Sequence, residues 1–137
     1  MKPVDQTIFG HPNGDCFRAC VASILELPIE DVPNWAAEGR GVVHAAMDWI
    51  HNRGHACLNI QWEPEYEKHQ YLSTGMERVY CILGGVSPRS TPESRLYHAV
   101  VGHAAGWSFE IDHDPHPSRA GIVGEPINAV WIFRGIP

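Results

Sequence analysis

The spacing of apolar and polar positions divides the chain into helices near its start and strands after them. In residues 15–27, apolar side chains recur every three or four positions, which predicts a helix with one buried face. The apolar positions are Phe17, Cys20, Val21, Ile24, Leu25 and Leu27. Asn13 or Asp15 is suited to cap this helix and Pro28 to end it. The same spacing in residues 41–52 predicts a second helix.

Beyond the second helix the pattern changes to short runs rich in β-branched and aromatic residues. These runs predict strands over residues 56–62, 78–83, 96–103, 107–111 and 129–133. A polar stretch that continues to residue 75 predicts a loop with a helical turn. The run 78–83 is apolar almost throughout, which favours a central strand. Helices followed by hairpin-connected strands indicate an α+β fold, with the N-terminal helix packed on an antiparallel sheet.

Composition narrows the class of protein. A chain of 137 residues predicts a single domain over residues 1–137. Hydrophobic residues make up 44% and charged residues 19%, which excludes a disordered or coiled-coil protein. The net charge of −6 argues against sequence-independent binding to nucleic acid, which needs a basic surface.

The N-terminus and the cysteines indicate the compartment. No apolar segment typical of a secretory signal follows Lys2, and no run approaches the roughly 20 apolar residues of a membrane span. The four cysteines are irregularly spaced and form no Cys-x-x-Cys pair. We therefore expect a cytoplasmic protein with free thiols, no membrane association and no cofactor.

Cys16 is the first candidate for chemistry, because it opens the first predicted helix directly after a turn that contains Gly14. Unpaired N–H groups and the helix dipole at such a position stabilise a thiolate and lower its pKa. The same N–H groups suit an oxyanion hole. The position also suits a small buried core residue.

His98 is the candidate base for this thiol. It lies in a predicted strand, where an imidazole is held rigidly, although a histidine there also suits the core. Asp112 and Asp114 follow a predicted hairpin turn near Ala105, and antiparallel pairing returns residues near 112 to the neighbourhood of His98. Either carboxylate is a candidate to orient the imidazole.

This order of residues resembles the papain-like cysteine peptidases, most closely the bacterial C39-type peptidases. The matching residues are Asp15-Cys16, His98 with the small apolar residues after it, and Asp114-Pro115, sixteen positions beyond His98. The chain is also similar to small papain-like proteins of bacteria and their phages, which share a run like the one at 114–117. The resemblance covers about residues 12–27 and 96–121, and it implies a papain-like fold.

The resemblance implies a Cys16–His98–Asp114 triad of nucleophile, base and orienting carboxylate, with Asp112 in reserve. The family places a Gln about six residues before the cysteine as oxyanion donor, whereas Gln6 here precedes Cys16 by ten. Gln6 on a longer loop, or Asn13, is the candidate for that role. Phe17 replaces the usual glycine after the nucleophile and is expected to narrow the cleft.

The expected function is that of a thiol-dependent hydrolase, which cleaves a peptide, isopeptide or other amide bond of a peptide or protein through a thioester. Deamidation or transamidation by the same triad is an alternative. Another is an inactive papain-like module that sequesters a ligand or partner, as in conflict between phage and host. Residues 84–89 are expected to form a glycine-rich loop beside the active site, in which Arg89 attracts an acidic or carboxylate-bearing substrate. Trp35 and Trp107 are expected to line the cleft.

A metal site is the weaker interpretation of the same residues. Cys16 and Cys20 share one predicted helix face and, with His98 or His113, offer ligand chemistry. The acidic and histidine-containing run 112–116 offers it too. Neither has the tight spacing of a complete ligand set, so no metal is predicted.

Overall fold

A computed structural model describes residues 1–38, 41–62, 76–106 and 108–135 of the protein. Over these residues the chain forms two α-helices, α1 (Cys16–Leu25) and α2 (Val42–Asn52). It also forms five strands: β1 (Ala56–Gln61), β2 (Cys81–Val86), β3 (Tyr97–Ala105), β4 (Ser108–His113) and β5 (Val123–Phe133). Three short 3-10 helices lie at Ile29–Asp31, Trp35–Glu38 and Met76–Arg78. The predicted α+β class is confirmed.

The five strands form one sheet in the order β1-β5-β2-β3-β4, and every neighbouring pair is antiparallel. Strand β2 is central, as its apolar run predicts. The predicted hairpin is present as β3 and β4, with Ala105 opposite Ser108 next to the turn. Strand β5 pairs with β1 along one side and with β2 along the other, so the last strand joins the two parts of the sheet.

Alternation along the strands divides the buried side chains between two faces of the sheet. One set packs with the helices: Ile82, Ala99, Val101, Val130 and Ile132. The other set forms a second cluster: Cys81, Leu83, Val100, Ala129 and Trp131. Each large side chain buried in this way contributes about 1.5–3 kcal/mol to folding. Because α1 packs on β3, the packing brings the start of the helix towards the strand that carries His98.

Helix α1 ends at Leu25, two residues earlier than predicted. Glu26 adopts a left-handed conformation with φ of 59°, which turns the chain out of the helix. The amide of Leu27 then donates to the carbonyl of Ala22 at 2.9 Å and satisfies a group that the helix end leaves free. The helix therefore ends in a left-handed cap before Pro28 is reached.

The glycine-rich run 84–89 was expected to be a loop, but residues 84–86 belong to β2. The side chain of Asn128 occupies the space that a Cβ on Gly84 would need, and Ile122 does the same at Gly85. The two glycines therefore allow the side chains of Asn128 and Ile122 to approach the backbone of β2 closely. Strand β2 also starts at Cys81 instead of residue 78, because Met76–Arg78 forms a 3-10 helix. Strand β5 begins six residues earlier than predicted.

Two sequence predictions lie outside the described residues. The first is the loop with a helical turn, which falls on residues 63–75, and the second is the cleft-lining role considered for Trp107.

Asp15 precedes α1 as its N-cap residue, but its side chain makes no capping hydrogen bond, and neither does that of Asn13. The Asp15 carboxylate is 1% exposed and accepts hydrogen bonds from the backbone N–H groups of Thr7 and Ile8, each at 2.9 Å. It also accepts the Thr7 hydroxyl at 2.8 Å and lies 3.3 Å from Arg18. The capping prediction is therefore wrong, because Asp15 instead fastens the N-terminal segment across the start of the helix.

We expect Asp15→Ala to lower the free energy of unfolding by about 2 kcal/mol or more, because it strands two backbone donors of the N-terminal segment. Asp48→Ala, at an exposed position of α2, is the control and should change stability by less than about 0.5 kcal/mol. Chemical denaturation followed by fluorescence measures both. Equal stability losses in the two variants would contradict an anchoring role for Asp15.

Candidate active site

Cys16 is the first residue of α1 and is half-buried. The first hydrogen bond of the helix runs from the amide of Ala19 to the carbonyl of Asp15 at 3.0 Å, so the N–H groups of residues 16–18 stand outside the helical ladder. Backbone N–H groups of Ala99 on β3, of Phe17 and of Cys16 itself are near enough to the thiol to favour its ionised form. The thiol therefore sits where the helix start meets the strand of His98.

Burial raises the pKa of the Cys16 thiol above its ordinary value of 9.0, and the nearby N–H groups oppose this rise without cancelling it. The carboxylate of Asp15 adds to the rise. The expectation that the helix start lowers this pKa is therefore wrong in direction, because desolvation outweighs the backbone dipoles. Cys16 is a neutral thiol at neutral pH.

His98 and Asp114 form a buried pair. The two atoms His98 Nε2 and Asp114 Oδ1 are 2.7 Å apart, and each residue is only 4% exposed. In the β3–β4 ladder, Val101 lies opposite His113, so the residue just beyond the end of β4 reaches back towards His98. Asp112 is directed elsewhere, since its Oδ2 lies 2.7 Å from Nδ1 of His103. The structure thus pairs His98 with Asp114, whereas Asp112 pairs with His103.

Asp114 also holds its own loop. Its Oδ1 accepts the backbone N–H of His116 at 2.8 Å, and its Oδ2 accepts that of Gly121 at 2.7 Å. Burial alone raises a carboxyl pKa, but the hydrogen bonds from His98, His116 and Gly121 together hold the pKa of Asp114 below its ordinary 3.8. The carboxylate is therefore ionised at neutral pH.

The hydrogen bond to Asp114 determines the tautomer of His98. An ionised carboxylate only accepts, so Nε2 carries the proton and Nδ1 bears the lone pair of a base. Burial lowers the pKa of His98 below 6.5, against the opposing effect of Asp114, and the charge of Arg89 lowers it further. The hydrogen bonds of the described residues include none between Cys16 and His98, although both side chains line the same clefts.

Two clefts meet at Cys16 and His98. The first, of about 250 Å³, has a largely apolar wall that includes Phe17, Trp35, Val42, Val43 and Ile82. The second, of about 280 Å³, is more polar and includes Gln6, Phe9, Ser87, Arg89 and His116. The structure thus brings the predicted residues Phe17 and Trp35 to one cleft and Gln6 and Arg89 to the other. Asn13 is exposed and lines neither cleft.

Gln6 reaches the second cleft despite its distance from Cys16 along the chain. Its backbone N–H donates to the carbonyl of Pro115 at 3.0 Å, next to Asp114. Its side-chain amide donates one N–H to the carbonyl of Ile8 at 2.9 Å, and Oε1 is buried with no hydrogen-bond partner. A second N–H of Nε2 remains for a ligand at the cleft.

Some contributors to the site give no signal in the sequence. Arg119 makes a bidentate ion pair with Asp5, at 2.6 and 2.9 Å, and donates to the backbone carbonyl of Asp114. Asn128 and Tyr97 line the first cleft. Asp5 and Arg119 are 114 residues apart, so only the folded chain brings them together. Tyr97, by contrast, is the direct neighbour of His98, and that adjacency is a usable signal.

The described part of the chain contains neither a candidate metal site nor a candidate membrane-spanning helix. Over residues 1–38, 41–62, 76–106 and 108–135, no group of three or more His, Cys, Asp or Glu side chains is arranged to hold a metal ion. Cys16 and Cys20 therefore do not form such a group with His98 or His113. Within the same ranges, no helix has the length and apolar character to cross a bilayer.

Comparison of the chain with protein-family models, with curated proteins and with solved structures finds no match.

We expect the free energy of unfolding to fall as the pH drops below 6.5, the ordinary histidine pKa, because folded His98 resists a proton that the unfolded chain accepts. Stability from this source is fully present above pH 6.5 and is lost as the pH falls towards the lowered pKa of His98. Urea denaturation across this range measures the slope.

His98→Gln should make this slope shallower, whereas His51→Gln, at an exposed position of α2, should leave it unchanged. Parallel pH profiles for the native protein and His98→Gln would contradict the buried, neutral state of His98.

Proposed function

We propose that the protein is a thiol-dependent hydrolase that cleaves an amide bond of a peptide or protein, with Cys16, His98 and Asp114 as its triad. The observation that carries the proposal is the buried hydrogen bond of 2.7 Å between His98 and Asp114, beside a cleft that Cys16 also lines. A nucleophile, a base and a group that orients the base are the three parts that acyl transfer requires. The chain supplies each from a separate element.

We further propose that these elements form a papain-like fold. Its support is the arrangement of α1, whose first residue is Cys16, against β3, whose second residue is His98. The orienting Asp114 follows β4, the hairpin partner of β3. This is the order and placement that the resemblance to papain-like peptidases implies.

In the first step, Sγ of Cys16 attacks the carbonyl carbon of the amide while the thiol proton passes to Nδ1 of His98. Both groups are neutral beforehand, because burial raises the pKa of Cys16 and lowers the pKa of His98. Proton transfer therefore accompanies the attack, and the ionised Asp114 stabilises the imidazolium that results.

Collapse of the tetrahedral intermediate breaks the C–N bond, and His98 gives its proton to the departing amine. The acyl group is then held as a thioester on Cys16. A water molecule attacks this thioester, His98 takes its proton, and the C–S bond breaks as that proton returns to Sγ. The products are a carboxylic acid and an amine. Deamidation is the same sequence with ammonia as the leaving group, and transamidation replaces water by an amine.

The oxyanion of each tetrahedral intermediate needs donors fixed beside Cys16. The backbone N–H of Cys16 is free of the helical ladder, and Gln6 has an N–H of Nε2 available where it lines the second cleft. We therefore assign the oxyanion role to Cys16 and Gln6. Asn13 does not line either cleft and has no part in this mechanism.

A ligand-binding module without catalysis is the second candidate, and one observation favours it. The pKa of Cys16 is raised by burial, so the resting thiol is a weak nucleophile unless His98 assists it. The clefts on either side of the pair would then hold a ligand or a partner protein. Assistance by His98 is the property that separates the two candidates.

We expect His98→Ala to slow the alkylation of Cys16 by iodoacetamide by at least about tenfold near neutral pH, because the thiol loses its general base. Peptide mapping by mass spectrometry measures the rate at Cys16. Cys57 is half-buried on β1 and serves as an internal control whose rate should not change.

Asp114→Ala should reduce the rate at Cys16 in the same direction by a smaller factor, since the imidazole remains but is no longer oriented. Thermal unfolding of each variant checks that it is folded. An alkylation rate at Cys16 that is the same with and without His98 would refute the hydrolase and favour the binding module.

A further inference from the structure

The second cleft is bordered by a firmly held connection between β2 and β3. The amide of Ser87 donates to the carbonyl of Leu96 at 2.9 Å. The hydroxyl of Ser90 bonds both the carbonyl and the amide of Leu96, at 3.1 and 3.0 Å. Ser87 also accepts the backbone N–H of Arg89 at 3.2 Å. The backbone that carries Arg89 is therefore fixed to Leu96, which lies two residues before His98.

Arg89 is an exposed cation at this cleft with no acidic partner among the described residues. Its only side-chain hydrogen bond within them is a long one, of 3.5 Å, to the hydroxyl of Ser118. The charge of Arg89 lowers the pKa of both His98 and His116, after the larger effect of burial. In a protein of net charge −6, this guanidinium is available to an anionic ligand beside the triad.

His116 provides a second donor at the same cleft. Its Nδ1 accepts the backbone N–H of Ser118 at 3.1 Å, so the neutral ring carries its proton on Nε2. Burial and Arg89 lower the pKa of His116, which keeps the ring neutral at neutral pH. The Ser118 hydroxyl, 2.8 Å from His116 Nδ1 and 3.5 Å from Arg89, lies between the two residues.

We propose that Arg89 and His116 form a carboxylate-binding subsite next to Cys16, so that the favoured substrate bears a carboxylate close to the reacting amide. A guanidinium matches the two oxygens of a carboxylate, and a neutral imidazole N–H adds a directed hydrogen bond. The first cleft, walled by Phe17 and Trp35, suits an apolar group, because its one arginine, Arg18, is already paired with Asp15 at 3.3 Å. The substrate role of the subsite rests on the proposed hydrolase, whereas anion binding itself does not.

The test compares two alkylating probes of similar size, anionic iodoacetate and neutral iodoacetamide, at about pH 8, where His98 is neutral. The rate with iodoacetate divided by the rate with iodoacetamide should be larger at Cys16 than at Cys57, because Arg89 attracts the anionic probe. Arg89→Gln should lower the ratio at Cys16 by about two- to fivefold, the range for one exposed ion pair.

Arg95→Gln is the matched control, because Arg95 is an exposed arginine on the same connection whose guanidinium lies 5.7 Å from the ring of Tyr97 and lines neither cleft. It removes the same charge and should leave the ratio unchanged. An Arg89→Gln ratio equal to that of the native protein, or equal losses in the two variants, would overturn the subsite.

The rate with iodoacetamide separates this result from the proposed function. That rate reports the thiol and its base, so dividing the iodoacetate rate by it removes the effect that Arg89→Gln has on His98. An iodoacetate preference that Arg89→Gln abolishes, together with an alkylation rate that depends on His98, supports both proposals. The same Arg89-dependent preference in a protein whose Cys16 reacts independently of His98 supports the anion site and refutes the hydrolase.

The source of the carboxylate is identified by protection of Cys16 against iodoacetamide. N-acetylglycine presents a chain-terminal carboxylate, N-acetylglutamic acid α-amide presents a side-chain carboxylate, and N-acetylglycinamide is the neutral control. Greater protection by either acid, lost in Arg89→Gln, supports the subsite and names the source. Protection by the acids no greater than by the neutral amide would count against it.

Discussion

The hydrogen bonding of the Asp114 carboxylate is the constraint on which the rest of the site depends. A buried carboxylate is costly unless its oxygens are occupied, and here His98, His116 and Gly121 occupy them. The same three bonds fix an imidazole on a strand and close the loop beyond β4. Its backbone is tied in turn to Arg119, and through Arg119 to Asp5 in the N-terminal segment. Asp114 thus links the end of the hairpin, His98 and the start of the chain.

Asp15 and Asp114 act as a pair of anchors on the N-terminal segment. Asp15 binds the backbone of Thr7 and Ile8, while the loop of Asp114 receives the amide of Gln6 through the carbonyl of Pro115. Both carboxylates bond mainly to N–H groups instead of lying in simple ion pairs. Gln6 is therefore held between two buried acidic side chains, and this explains how a residue ten positions before Cys16 comes to line its cleft.

Local features of the sequence predict much of the fold and part of the site. The apolar spacing of residues 15–27 and the hairpin around Ala105 depend on near neighbours, and the structure has both. The loop prediction at Gly84 was wrong because the side chain that requires a glycine there belongs to Asn128, 44 residues away.

The predicted protonation state of Cys16 was wrong for a related reason. A helix start alone predicts a thiolate at Cys16, but the burial that reverses this result comes from packing against β3. The choice between Asp112 and Asp114 likewise depended on the register of a ladder, and no composition rule supplies the register.

The neutral state of Cys16 has a consequence for the lifetime of the protein. Oxidation to sulfenic acid and beyond begins from the thiolate, so a thiol whose pKa is raised by burial reacts slowly with peroxides. In the proposed mechanism, the sulfur becomes nucleophilic only while a bound carbonyl receives the electrons and His98 receives the proton. We therefore expect the Cys16 thiol, although it lines a cleft, to react more slowly with oxidants than a thiolate at the same place would.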